Sequence, residues 1–366
     1  MMYRVIGLMS GSSLDGLDIA FVQLEHKGGK WSYDILAADC MPYPAEWEQK
    51  LRQATTLATP DYLALHTAYG RYCGQLVNQF IAANGLEHQV QLIASHGHTT
   101  FHDPALGYTA QLGCGAALAA TTGINVVSDL RAMDVALGGQ GAPIVPMGEA
   151  LLLGQYPLLL NLGGIANLSA HLTQGMVAFD VCPANRVLNM LMATTGQAYD
   201  AGGALAATGF VRDEVLAKLN QLPYYSQPWP KSLANQFGTE VVYPLLKAAN
   251  LSLPDALRTM VEHIAIQITR STGRLLPNLP GQKPYQLLAT GGGAFNTFLI
   301  NRLSAQLKPM GVELVVPDAR TINYKEALVM ALLGVLRWRE ENTVLHTVTG
   351  AQRSSIGGAV WVGQTA

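Results

Sequence analysis

Apolar positions come first in short runs and later at helical spacing. Residues 3–9 form an apolar run interrupted by Arg4 and Gly7, which predicts a buried strand. Residues 10–16 make a polar turn, 17–24 a second strand and 31–38 a third. Three strands joined by short turns predict an antiparallel meander. A helix is expected over 45–56. Another is expected over 61–83, where Leu63, Leu65, Tyr69, Cys73, Leu76, Phe80 and Ile81 recur at mostly helical spacing. Residues 90–94 read as a short buried strand, 111–120 as a helix of small residues and 124–128 as a strand.

At Tyr156 the pattern restarts. Strands are predicted over 157–162, 165–171 and 176–179, with Gly163-Gly164 as the first turn and a helix from Asn185 to about residue 193. A long helix follows over 255–275, then a strand over 286–290, a helix over 295–307, a strand over 313–316 and a helix over 325–338. Strand, glycine turn, strand, strand, helix thus occurs twice. Such a repeat predicts two related α/β domains facing each other across a cleft, one spanning 1–145 and the other 146–366. Pro/Ser-rich residues 223–232 are the best candidate for a mobile loop.

Composition narrows the function. The chain has 366 residues, enough for two domains, and its 49% hydrophobic content can fill two cores. A net charge of -2 provides no basic field for a nucleic-acid backbone. Cys40, Cys73, Cys114 and Cys182 form no CxxC pair, which fits reduced thiols in a cytoplasmic protein. The N-terminus reads as a first strand and not as a targeting segment. No run of about 18 apolar residues predicts a membrane span.

The chemistry concentrates in loops. Gly7–Gly16, with Gly11, Ser12, Ser13 and Asp15, lets backbone N–H groups and hydroxyls approach an anion. It lacks the Gly-Lys-Ser/Thr ending of a P-loop, and the protein-kinase signatures are missing too. Asn161-Leu162-Gly163-Gly164-Ile165-Ala166-Asn167 occupies the equivalent turn of the second half. Gly291-Gly292-Gly293 lies between a strand and a helix, where a nucleotide can rest on bare backbone. Asp180 ends a buried strand just before a helix and suits a general base as well as a turn aspartate. Arg131, between Asp129 and Asp134, suits a polar or anionic ligand as well as a structural ion pair. His96, His98 and His102 form a cluster that admits a metal, a hydrogen-bonded ligand or plain structure.

Together these motifs resemble the anhydro-N-acetylmuramic acid kinase family of the actin–hexokinase–Hsp70 superfamily. The resemblance runs from Gly7 to about Gly357 and is most specific over 134–146, 161–167 and 290–296. It implies duplicated ribonuclease H-like domains and a kinase using ATP and Mg2+. That kinase opens 1,6-anhydro-N-acetylmuramic acid with water and phosphorylates O6, giving N-acetylmuramic acid 6-phosphate in cell-wall recycling. Carried over by position, Asp180 is the implied base. Gly11, Ser12, Ser13, Asp15, Gly163, Gly164, Asn167, Gly291, Gly292 and Gly293 are the implied nucleotide contacts. His96, Thr99, Arg131 and Asp134 are the implied sugar contacts, and Glu326 and Asp15 the implied metal-side carboxylates. The implied partners are a small sugar and a second copy of the chain, with neither nucleic acid nor membrane. The chain departs from the family pattern at 181–184, Asn189, His98 and 233–236. The competing readings are a kinase for another anhydro sugar such as levoglucosan, a metal-dependent hydrolase built on His96, His98 and His102, and a non-catalytic sugar or nucleotide sensor.

Overall fold

A computed structural model describes residues 1–11, 14–229, 231–234 and 236–363. The first strands are β1 (Met2–Ser10), β2 (Gly16–Lys27) and β3 (Lys30–Pro42), followed by helices α1 (Ala45–Gln53) and α2 (Thr59–Asn84). Pro60 pre-sets the first turn of α2, and Gly85 ends it at φ +63°. Leu65, Tyr69, Cys73, Leu76 and Phe80 are buried along one face of α2, whereas Leu63, expected beside them, is 57% exposed. Then come β4 (Leu92–Ser95), the hairpin β5 (His98–Asp103) and β6 (Tyr108–Leu112), α3 (Gly115–Thr122) and β7 (Val126–Ser128). The helix expected over 111–120 is therefore split. Gln111 and Leu112 belong to β6, and Gly113, at φ +120°, breaks the chain before α3. Short helices α4 (Ala132–Ala136) and α5 (Val145–Leu152) complete this stretch.

The second set is β8 (Leu158–Leu162), β9 (Ile165–Leu172), β10 (Gly175–Pro183) and α6 (Asn185–Met192). Three short helices follow: α7 (Ala204–Thr208), α8 (Asp213–Asn220) and α9 (Tyr243–Ala248). Next are α10 (Leu253–Leu275), β11 (Tyr285–Thr290), α11 (Thr297–Leu307), β12 (Val312–Val315) and α12 (Ala319–Trp338). Ser252 caps α10 by accepting from the Asp255 amide, and Asn296 caps α11 by accepting from Leu299 N at 3.0 Å. The chain ends with α13 (His346–Thr349) and β13 (Ala359–Trp361).

Contacts divide the chain into two units, Met1–Leu153 with Tyr324–Ala366, and Gly154–Asn323. This differs from the expected division into 1–145 and 146–366. The C-terminal segment rejoins the first unit because β13 pairs with β7 and Lys325 forms a buried ion pair with Glu149 at 2.7 Å. Hydrophobic periodicity marks each element but not the sheet it joins.

Each unit contains the same arrangement. In the first, β3, β2 and β1 form an antiparallel meander, and β4 and β7 extend it in parallel from β1. In the second, β10, β9 and β8 form the meander, and β11 and β12 extend it in parallel from β8. The repeat read from the sequence is thus a repeat of sheet topology, the duplicated ribonuclease H-like α/β fold. Each sheet has its own core. Ile6, Leu8, Ile19 and Phe21 pack with α2 in the first, and Leu160, Leu168 and Val181 pack with α10 in the second.

Candidate active site

In the second unit, β10 carries Asp180 at a bulge in its pairing with β9. A bulge re-aims a side chain out of the regular pleat. The Asp180 carboxylate accepts from the Asn167 side-chain amide on β9 and from Leu233 N at 2.7 Å. Tyr224 donates to the Asp180 backbone carbonyl at 2.8 Å. Burial raises the Asp180 pKa, while the Leu233 and Asn167 bonds pull it back. The result is an oriented carboxylate more basic than a free one. Within 223–232, expected as a mobile loop, Tyr224 and Tyr225 are buried, while Pro223 and Ser226 are exposed.

The glycines sort into two kinds. A Cβ on Gly291, which sits at φ +80°, would lie 2.5 Å from Asn161 Oδ1, and one on Gly293 would lie 2.7 Å from Leu162 Cβ. Packing against the end of β8 therefore explains both. A Cβ on Gly163, Gly164 or Gly292 would meet only ordinary contacts, at 3.4, 3.6 and 3.8 Å. Their bareness serves no packing need of the chain and fits a ligand resting on the backbone. The Gly163 and Gly164 carbonyls accept from the Asn185 and Ala184 amides, at 3.1 and 2.8 Å. Arg186, in the first turn of α6, lies against Gly164, and its buried Nε has no hydrogen-bond partner. An orphaned guanidinium N–H beside a bare glycine turn fits a phosphate.

In the first unit a cavity of about 340 Å³ is lined by Ser10, Gly11, His96, His98, Thr99 and Arg131, among others. Three of the four expected sugar contacts, His96, Thr99 and Arg131, thus meet in one cavity. Arg131 donates from Nε to His96 Nε2 at 2.8 Å and to the Gly141 carbonyl at 2.6 Å. With Nε2 accepting, the His96 hydrogen sits on Nδ1 and is given to the Gly97 carbonyl at 2.8 Å. Burial, with Arg131 alongside, drops the His96 pKa to about 3, so the ring is neutral. Burial lowers Arg131 to about 10, with Glu326 and Asp134 opposing it, and it stays charged.

Asp134, the fourth expected sugar contact, is corrected by the structure. It is fully buried and accepts from Gly141 N and Thr349 Oγ1, both at 2.7 Å. Both oxygens are committed to the chain. Its role is to fix the Gly141 loop, whose carbonyl in turn holds Arg131. Asn167, expected at the nucleotide, bonds to Asp180 instead. Ser12 and Ser13 lie outside the described residues. In the histidine cluster, His96 is committed at both nitrogens, His98 Nδ1 meets Ser10, and His102 Nδ1 meets Thr109.

Asp15 and Glu326, the expected metal-side carboxylates, both act on Asp18. Burial raises the Asp18 pKa to about 6, with the charges of Asp15 and Glu326 adding to it and a Cys40 hydrogen bond opposing. Among the described residues no group of three His, Cys, Asp or Glu side chains is arranged to hold a metal ion. Two carboxylates whose charges press on a third are oxygen donors of the kind a hydrated Mg2+ takes.

A model of the anhydro-N-acetylmuramic acid kinase family matches residues 3–363. The chain belongs to the anhydro-N-acetylmuramic acid kinase family. An anhydro-N-acetylmuramic acid kinase of Gloeobacter violaceus is 34% identical, with 95% of this chain and 96% of that protein covered. One from Vibrio vulnificus is 34% identical with 95% of each covered. Among solved structures, the ADPNP-bound activator of the 2-hydroxyisocaproyl-CoA dehydratase from Clostridium difficile covers 92% of this chain and 96% of its own. Its TM-score is 0.45 at 14% identity.

For a member of the anhydro-N-acetylmuramic acid kinase family, sequence reasoning missed four useful residues. Asp18 was detectable as the lone charge in an otherwise apolar stretch of β2. Arg186 follows directly on the motif containing Asp180 and was passed over as ordinary helix. Ser10 and Tyr43 carry no local signal, because only the fold brings them to His98.

Proposed function

We propose that this protein is an ATP-dependent kinase that opens 1,6-anhydro-N-acetylmuramic acid with water and phosphorylates O6. Family membership over almost the whole chain supports the substrate and reaction. The observation that supports the mechanism best is Asp180, a basic carboxylate fixed by two N–H donors at a strand bulge. In an anhydro sugar O6 is tied up in the bridge, so the phosphoryl acceptor has no O–H for a base to deprotonate. Asp180 instead takes a proton from water as the water oxygen bonds to C1. The C1–O6 bond breaks, O6 receives the γ-phosphoryl group of ATP, and ADP leaves.

The chain's other residues bind and orient. Gly163, Gly164 and Gly292 offer bare backbone to the nucleotide, and Arg186 supplies a fixed positive charge for its phosphates. Gly11 belongs to the cavity in which His96, Thr99 and Arg131 hold the sugar. Asp15 and Glu326 would hold Mg2+, which when bound would neutralise charge on the phosphoryl oxygens. A cytoplasmic homodimer belongs to the same reading. Among the described residues no helix is long and apolar enough to cross a membrane.

The test is ADP release from ATP across a panel of anhydro and ordinary sugars, with the reaction run briefly in oxygen-18 water. The expected result is turnover of 1,6-anhydro-N-acetylmuramic acid with label at the product C1 hydroxyl and none in the phosphate. Preference for levoglucosan would reassign the sugar. Label in the phosphate would mean simple ATP hydrolysis.

A further inference from the structure

His98 ends a chain of buried hydroxyls. The hydroxyls of Tyr69 and Tyr43 lie 2.6 Å apart, Tyr43 donates to Ser10 Oγ at 2.8 Å, and Ser10 Oγ lies 3.0 Å from His98 Nδ1. Tyr69, Tyr43, Ser10 and His98 are all buried. Ser10 accepts from Tyr43, so its own hydrogen is left for His98 Nδ1. Burial lowers the His98 pKa and keeps the ring neutral. A neutral imidazole that accepts at Nδ1 carries its hydrogen on Nε2. That nitrogen has no protein partner among the described residues, and His98 lines the same cavity as Arg131. The neighbouring His96 has the opposite tautomer and spends both nitrogens on the chain. The cavity therefore offers a ligand two different donors, a guanidinium and a single neutral N–H.

Those donors suit different acceptors. A guanidinium pairs best with a carboxylate, whereas a neutral N–H pairs with a carbonyl oxygen without leaving charge uncompensated. We propose that His98 is a specificity-determining residue, donating Nε2–H to the acetamido carbonyl oxygen of an N-acetylated anhydro sugar and leaving Arg131 to the carboxylate. This rests on the anhydro-sugar reading above and adds a division of labour within the cavity. The chain from Tyr69 to Ser10 fixes the tautomer, and with it the choice of a donor over an acceptor.

Two substitutions separate the two ends of the ring. His98→Asn places an amide where Nδ1 stood, keeping the Ser10 bond and removing the outward donor. His98→Gln reaches the position of Nε2 with an amide N–H and gives up Ser10. Binding of 1,6-anhydro-N-acetylmuramic acid and 1,6-anhydro-N-acetylglucosamine is measured by calorimetry without nucleotide, and KM for ATP by steady-state kinetics. His98→Asn is expected to weaken both sugars by about 10-fold or more, the scale of one lost buried hydrogen bond. His98→Gln is expected to stay within about threefold of wild type, and KM for ATP to stay within about twofold in both variants. Wild-type binding by His98→Asn would overturn the proposal, as would equal weakness of the two variants or a parallel loss for ATP. A wild-type protein that binds no anhydro sugar would overturn the anhydro-sugar reading, and this proposal with it.

Discussion

The two sheets carry a carboxylate on the same rung and treat it differently. In the second unit the rung pairs Asn167 on β9 with Asp180 on β10, and in the first it pairs Asp18 on β2 with Cys40 on β3. Asn167 and Asp18 are each the third residue of their strand. Burial raises both carboxyl pKa values. Around Asp180 the neighbours are N–H donors, which orient the anion and stabilise it. Around Asp18 they include Asp15 and Glu326, which oppose its ionisation. The exits of the parallel strands differ in the same way. β4 leads into His96-Gly97-His98 and β11 into Gly291-Gly292-Gly293, so one unit presents imidazoles where the other presents bare backbone. The duplicated fold supplies the positions, and the neighbours on each copy decide the chemistry.

The comparison is broken most directly at Asp180. Asp180→Asn keeps the shape of the side chain and removes its basicity. Turnover should fall by about 10²–10⁴-fold, the usual contribution of a positioned base, with ATP binding nearly unchanged. Single-turnover rates and nucleotide titrations check both halves. A variant that keeps more than about a tenth of the wild-type rate would take the base role away from Asp180.

The glycine exit of β11 gives the next largest effect. Gly291→Ala must hold a Cβ at φ +80° and 2.5 Å from Asn161 Oδ1, so a loss of about 2 kcal/mol of stability is expected. Gly292→Ala meets nothing nearer than Asn185 Nδ2 at 3.8 Å, so its stability should stay within about 1 kcal/mol while its KM for ATP rises. Thermal melting and ATP kinetics on the pair separate packing glycines from ligand-facing ones. Equal loss of stability in the two would erase that distinction.

These contrasts show what the sequence could convey. The meander with its glycine turn repeats within each unit, so hydrophobic alternation and Gly163-Gly164 were enough to reveal the duplication. The return of β13 to β7 was not legible, because pairing partners distant in sequence leave no local periodicity. The convergence of His96, Thr99 and Arg131 on one cavity was largely legible, since they stand in short polar clusters. Asp134 was misplaced because a carboxylate bonded to Gly141 N and Thr349 looks, in sequence, the same as one facing a ligand. The Ser10–Tyr43–Tyr69 chain to His98 was invisible, because its members come from β1, the segment before α1, and α2.

The smallest expected effect tests the acidic side of the rung. Asp18→Asn removes a buried carboxylate that faces Asp15 and Glu326 and keeps a side chain able to meet Cys40. The folded-state pKa of Asp18, about 6, lies above the ordinary value of 3.8. The folded protein therefore holds the proton more tightly than the unfolded chain. Wild-type stability is unaffected by this group when both states are protonated, falls as pH rises from about 4 to about 6, and is level above that. The variant has no such loss. It should match wild type near pH 4 and exceed it at pH 8 by about 1 kcal/mol, a figure reduced for the water that still reaches this half-buried side chain. For a protein of this size that is about 2–4 °C in melting temperature. The melts are run without nucleotide or divalent cations, so that no bound ion offsets the repulsion. A gap that does not change between pH 4 and pH 8 would mean that neither burial nor the charges of Asp15 and Glu326 raise the Asp18 pKa, and the contrast between the two rungs would lose its acidic side.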